Sequence, residues 1–80
     1  MMMMYVAVSH FEEEYHGEHE TVLGIFSSYE EAVKAVIPSF EFFREYETEL
    51  RIKEVPVGMT SLAGLFEYHT ITREDYKKYL

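Results

Sequence analysis

Thr21-Val22-Leu23-Gly24-Ile25-Phe26-Ser27-Ser28-Tyr29-Glu30-Glu31-Ala32-Val33-Lys34-Ala35-Val36-Ile37-Pro38 is the stretch on which the fold turns. Its first six residues are a short apolar run, rich in β-formers and bounded by polar residues, and read as a strand. Ser27 and Ser28 each stand three residues ahead of a glutamate, so two overlapping S-x-x-E capping boxes are available to open a helix. Tyr29, Ala32, Val33, Val36, Ile37 and Phe40 then recur at helical spacing and make one apolar face, with Glu30, Glu31 and Lys34 opposite. Glu30 precedes Lys34 by four residues, the favourable orientation for an ion pair. Pro38 removes an intrahelical bond, so the helix stops near Ile37 or kinks there.

Toward the N-terminus, Met4 to Phe11 reads as a strand, because Tyr5, Val6, Val8 and Phe11 are β-formers and no charge intervenes before Glu12. This strand and Thr21 to Phe26 are both apolar on both faces, which suits central positions in a sheet. Between them Glu12 to Glu20 reads as a polar loop with Gly17 at its tip, so the two strands are expected to form an antiparallel hairpin with an enlarged connection. Toward the C-terminus, Phe40, Phe42, Phe43 and Tyr46 continue the helix as an aromatic-rich turn. Glu49 to Val57 alternates at first, and Pro56 then marks an edge strand or a bulge. Gly58 to Gly64 is a connection. Leu65 to Ile71 gives a fourth strand with Phe66 and Tyr68 on one face. Thr72 with Asp75 caps a short terminal helix lined by Tyr76, Tyr79 and Leu80. The expected fold is α+β: residues 1–80 form a single small domain, a four-stranded mostly antiparallel sheet with one central helix (ββαββ) and a short C-terminal helix. One helix covers little of such a sheet, so the other face is solvated, covered by the tail helix, or used in a partner contact.

The composition narrows the function. Eighty residues carry 15 Asp plus Glu against 7 Lys plus Arg, a formal net charge of -8. That balance excludes direct nucleic-acid binding, which needs a basic face, and docking on an anionic membrane. Zero Cys excludes a disulfide framework, a thiolate metal site and a Cys nucleophile. Met1 to Met4 lack the positive start and cleavage site of a signal peptide, and no apolar run is long enough to span a bilayer, so a cytoplasmic location is expected.

His10, His16 and His19 lie among Glu12, Glu13, Glu14, Glu18 and Glu20, but without H-E-x-x-H spacing or a second ligand cluster. The serines lack G-x-S-x-G context, and Ser27 and Ser28 already have a capping role. No glycine-rich phosphate loop is present. Neither a cofactor nor catalysis is expected. The acids concentrate in Glu12 to Glu20 and around Glu41 to Glu49, where a basic partner could meet them. Thirteen aromatic residues, 7 Tyr and 6 Phe, exceed what so small a core needs.

The segment Leu23-Gly24-Ile25-Phe26-Ser27-Ser28-Tyr29-Glu30-Glu31-Ala32, with the alternating Leu50 to Val55 after it, resembles a family of small uncharacterised ββαβ domains of phages and bacteria. The likeness spans roughly residues 4–56 and implies a ββαβ fold, with no functional residues to carry over. Compact size, acidity and absence of Cys are also similar to phage accessory proteins that inhibit host machinery. The combined expectation is a non-catalytic acidic protein-binding module, of the phage- or mobile-element inhibitor type, acting on a basic surface of a host defence or nucleic-acid-processing protein. Its contacts are expected from Glu12, Glu13, Glu14, Tyr15, Glu18, Glu20, Phe42, Phe43, Glu45 and Tyr46. The alternative is a homodimeric small-ligand or metal-binding regulatory domain using His10, His16, His19 and His69.

Overall fold

The capping serines and the apolar helix face act as their spacing predicts. In the computed structural model, which describes residues 2–14, 17–57 and 67–79, Ser28 is the N-cap of helix α1 (Tyr29–Val36) and its hydroxyl accepts the Glu31 N–H at 3.2 Å. Of the two overlapping boxes this one is used, and the Ser27 hydroxyl donates to the Glu31 carboxylate at 3.0 Å. Glu30 and Lys34 pair at 3.0 Å on the solvent side. Pro38 converts the next three residues into a 3-10 turn (Ile37–Ser39), after which helix α2 (Phe40–Glu45) resumes. Pro38 thus sits in the first residues of a new turn, where an N–H has no partner within that turn and the fixed φ of proline is tolerated.

Strands β1 (Met3–Glu13), β2 (Gly17–Phe26), β3 (Glu49–Pro56) and β4 (Tyr68–Thr70) form one sheet in the order β2-β1-β3-β4, with every neighbour antiparallel. Helix α3 (Arg73–Tyr79) follows, so the α+β class with a four-stranded antiparallel sheet is realised. The hairpin differs from expectation in two ways. Glu12 to Glu20 is no enlarged loop: the ladder continues to Glu13 paired with Gly17, and Gly17 at φ 84° starts the return strand. Both faces of this ribbon are polar because no helix reaches them. Secondly, β2 is an edge strand rather than a central one.

A register shift opposite Ala7 and Val8 explains the apolar residues of β2. Ala7 pairs with Gly24 and Val8 with Val22, which leaves Leu23 as a bulge and switches the alternation. Val22 and Ile25 therefore share one face although they are three residues apart. β3, by contrast, is not the expected edge: β1 and β4 flank it at Arg51 to Lys53. Pro56 occupies a position opposite Met3 whose nitrogen faces away from β1, so the ladder continues past it with the Val57 N–H donating to the Met2 carbonyl at 3.0 Å. The expected connection Gly58 to Gly64, Leu65 and Phe66 of the fourth strand, and Leu80 lie outside the described residues.

One sheet face carries Ala7, Leu50 and Ile52, and packs against Ala32, Val33, Val36, Ile37 and Phe40 from the helices, with Ile71 closing the end. Tyr5, Phe26, Tyr29, Phe43, Tyr76 and Tyr79 surround this core, and Phe40 stacks on Tyr76 with centroids 5.1 Å apart. The tail helix therefore covers the same face as α1. Principal dimensions of 36 × 35 × 16 Å fit one sheet and one helical layer.

The other sheet face, formed by Met4, Val6, Val8, His10 and Glu12 with their cross-strand partners, is covered by no described helix. Val22 is 60% and Ile25 61% exposed on it, yet Val8 in its middle is 2% exposed. The cover is a side-chain strap. Lys53 on β3 reaches across β1 to pair with Glu20 on β2, and that line from the Val6 row to the His10 row passes over Val8. With Arg51, which stands directly opposite Val8 on β3, the aliphatic stem of the lysine takes the place of a missing layer.

Candidate protein-binding surface

The expected contact residues separate into groups. Glu12, Glu18 and Glu20 point to the open face beside His10, whereas Glu13 lies on the other side and pairs with His19 at 3.0 Å. Glu14 is exposed in the turn; Tyr15, like His16, lies outside the described residues. On α2, Phe42 is 58% exposed and packs at 5.1 Å against Tyr46, itself 62% exposed, while Phe43 turns toward the core and Glu45 faces solvent.

Not every acid is on offer. Burial would raise the Glu20 carboxyl, but Lys53 and His10, at 3.2 Å through Nδ1, hold it below the ordinary glutamate value. Asp75 is likewise committed. Burial opposes its charge, but its carboxylate accepts from the Thr72 N–H (2.9 Å), the Thr72 hydroxyl (2.9 Å) and His69 Nε2 (3.0 Å), and is held low. The expected Thr72–Asp75 cap thus exists in reciprocal form, with the Asp75 N–H donating back at 3.3 Å. Nearby, burial first and the Asp75 charge second push the Tyr29 hydroxyl pKa up.

The antiparallel pairing of β3 with β1 places Glu49 opposite His10, and so assembles a site that the sequence reading left scattered. His10, Glu12, Glu18, Glu47, Glu49 and Arg51 line one cleft of about 290 Å³ at the strand end. Glu12 and Glu18 come from the hairpin, Glu47 and Glu49 from the turn after α2. Arg51 is held by Glu49 at 2.8 Å, and His10 Nε2 stands 3.8 Å from Glu18. Among the described residues, neither Glu12 nor Glu47 has a cationic partner within 4 Å. On the helical side of the same turn a second cleft, of about 260 Å³, is floored by Phe40, Leu50 and Ile71, with Arg44, Glu47, Thr48 and Glu49 at its rim. The two clefts share Glu47 and Glu49.

Glu47 and Glu49 belong to the acid run in which a basic partner is expected, though not to the named contacts; Leu50 and Ile71 belong to neither. The available signal was Glu49 opening a strand, which in antiparallel pairing must meet the hairpin end. Among the described residues no group of three or more His, Asp or Glu is arranged to hold a metal ion, and no helix is long and apolar enough to cross a membrane. No protein-family model, curated protein or solved structure matches the chain.

Proposed function

We propose that this chain is a non-catalytic, acidic protein-binding module that engages a basic surface of its partner through the sheet end where the hairpin meets the α2–β3 turn. The observation that carries this reading is the convergence of Glu12 and Glu18 with Glu47 and Glu49 in one cleft, one residue along the chain from the exposed pair Phe42 and Tyr46. Carboxylates gathered without enough counter-charge raise the local field and steer a cationic surface toward the site. Exposed aromatics beside such a patch supply the apolar anchors that interfaces use. The inhibitor role, on a host protein of a phage or mobile element, draws on the class that the chain's size and acidity resemble.

Affinity capture tests this, using the wild-type chain and a Glu12→Lys/Glu47→Lys variant as paired baits in lysate of the source cell at low and high salt. The reading expects a stoichiometric basic partner that is lost at high salt and with the variant. Recovery of the same proteins by both baits, independent of salt, refutes it. A homodimer is a second reading, favoured by Val22 and Ile25 on the uncovered sheet face; light scattering decides between one chain mass and two.

A further inference from the structure

We infer that the cleft floored by Phe40, Leu50 and Ile71 is an anchor pocket for a single apolar side chain of a basic segment, and that Glu47, the rim carboxylate with no cationic partner among the described residues, holds a cationic residue next to that anchor. The inference rests on the protein-binding reading and gives it a site and a partner chemistry. The size of the cleft, about 260 Å³, falls below the ~300–1,000 Å³ of small-molecule sites and suits one branched or aromatic side chain. The floor is continuous with the core: Phe40, Leu50 and Ile71 are all at most 8% exposed, so an inserted side chain would meet fixed apolar walls rather than mobile surface.

Charge sets the flanks. Arg44, the cation at the rim, lies 3.6 Å from Glu41, which also pairs with Arg73 at 3.2 Å; Glu49 is held by Arg51 at 2.8 Å, and Glu47 has no cationic partner among the described residues. Glu49 lies between the two clefts, and behind it the acidic cleft continues to Glu12 and Glu18. A segment that seats an apolar residue in the first cleft lies beside Glu47, where a Lys or Arg side chain finds a carboxylate and an acidic one is repelled. One apolar anchor with a cation next to it is therefore the sequence this surface selects.

The test uses a labelled peptide, Arg-Arg-Leu-Arg-Arg, with Arg-Arg-Ala-Arg-Arg and Glu-Glu-Leu-Glu-Glu as comparisons. Binding is followed by fluorescence polarisation and by methyl shifts of Leu50 and Ile71. The leucine peptide is expected to bind, to move both methyl groups and to weaken with salt. Loss of the leucine should cost about tenfold in affinity, and the acidic peptide should not bind. Thr48→Trp, which plugs the cleft, and Glu47→Lys, which reverses one flank at an exposed position, should each abolish the shifts; circular dichroism checks that both variants remain folded. No binding of the leucine peptide, equal binding of the alanine peptide, or shifts confined to Val22 and Ile25 overturns the site. If the captured partner is charge-sensitive but indifferent to Thr48→Trp, this pocket fails while the binding module stands. If no charge-sensitive partner is captured at all, the broader reading fails.

Discussion

Replacing Glu47 with glycine should make the protein more stable and a poorer binder. Glu47 has φ 56°, in the left-handed region, immediately after α2. Its N–H donates to the Arg44 carbonyl at 3.0 Å and the Thr48 N–H to the Phe43 carbonyl at 2.9 Å, the two bonds of a Schellman closure. Glycine usually occupies this position because a Cβ there costs roughly 1–2 kcal/mol. The greater freedom of glycine in the unfolded chain takes back roughly 0.5–1 kcal/mol. A net gain of about 0.5–1 kcal/mol remains, and removing one carboxylate from the cleft shared with Glu12, Glu18 and Glu49 adds to it. For a domain of this size the melting temperature should rise by about 2–8 °C. Glu47→Ala separates the two contributions, since it removes the charge and keeps the Cβ. Thermal and urea unfolding of both variants check the account. A glycine variant no more stable than the alanine variant would refute the backbone argument.

Four further outcomes follow from the same geometry. Lys53→Ala should cost about 1–2 kcal/mol in urea unfolding and Lys53→Met distinctly less, because methionine keeps the apolar cover over Val8 while losing only the pair with Glu20. Thr72→Ala should cost about 1 kcal/mol through loss of the α3 cap. Asp75 and Glu20 have folded-state pKa values below their unfolded ones, so their contribution is fully present above the ordinary carboxylate range and is lost as pH falls through the folded values. Asp75→Asn and Glu20→Gln should each flatten that acid-side decline in an unfolding series over pH. Ile52→Ala, in the middle of the core at 1% exposure, should cost about 2–5 kcal/mol, whereas Ile25→Ser on the open face should stay within about 0.5 kcal/mol by the same assay.

Helix α1 was legible because capping and apolar spacing are local: Ser28, Glu31 and the face from Tyr29 to Phe40 meet within a few residues of one another. The Thr72–Asp75 cap was legible for the same reason. The strand order was not, since the rank of β2 and β3 in the sheet depends on pairings with β1 that no local pattern records. The apolar run from Thr21 to Phe26 suggests a strand buried on both faces. It occurs instead on an edge, because the Leu23 bulge switches faces and the Lys53–Glu20 strap replaces a covering layer. The acids of the candidate surface were visible as two charge runs. Their meeting was not, because it follows from Glu49 standing opposite His10. Phe42 and Phe43 are adjacent in sequence, and only the packing of α2 shows that the first is exposed and the second faces the core.

The central claim is that the partner sits on the sheet end built by the α2–β3 turn and the hairpin acids. Amide hydrogen exchange of the chain, alone and saturated with the partner recovered by capture, tests it most directly. The account predicts new protection at Arg44 to Leu50 and at Glu12 and Glu18. Protection confined to Val22, Leu23 and Ile25 on β2, with the α2–β3 turn unchanged, would contradict it.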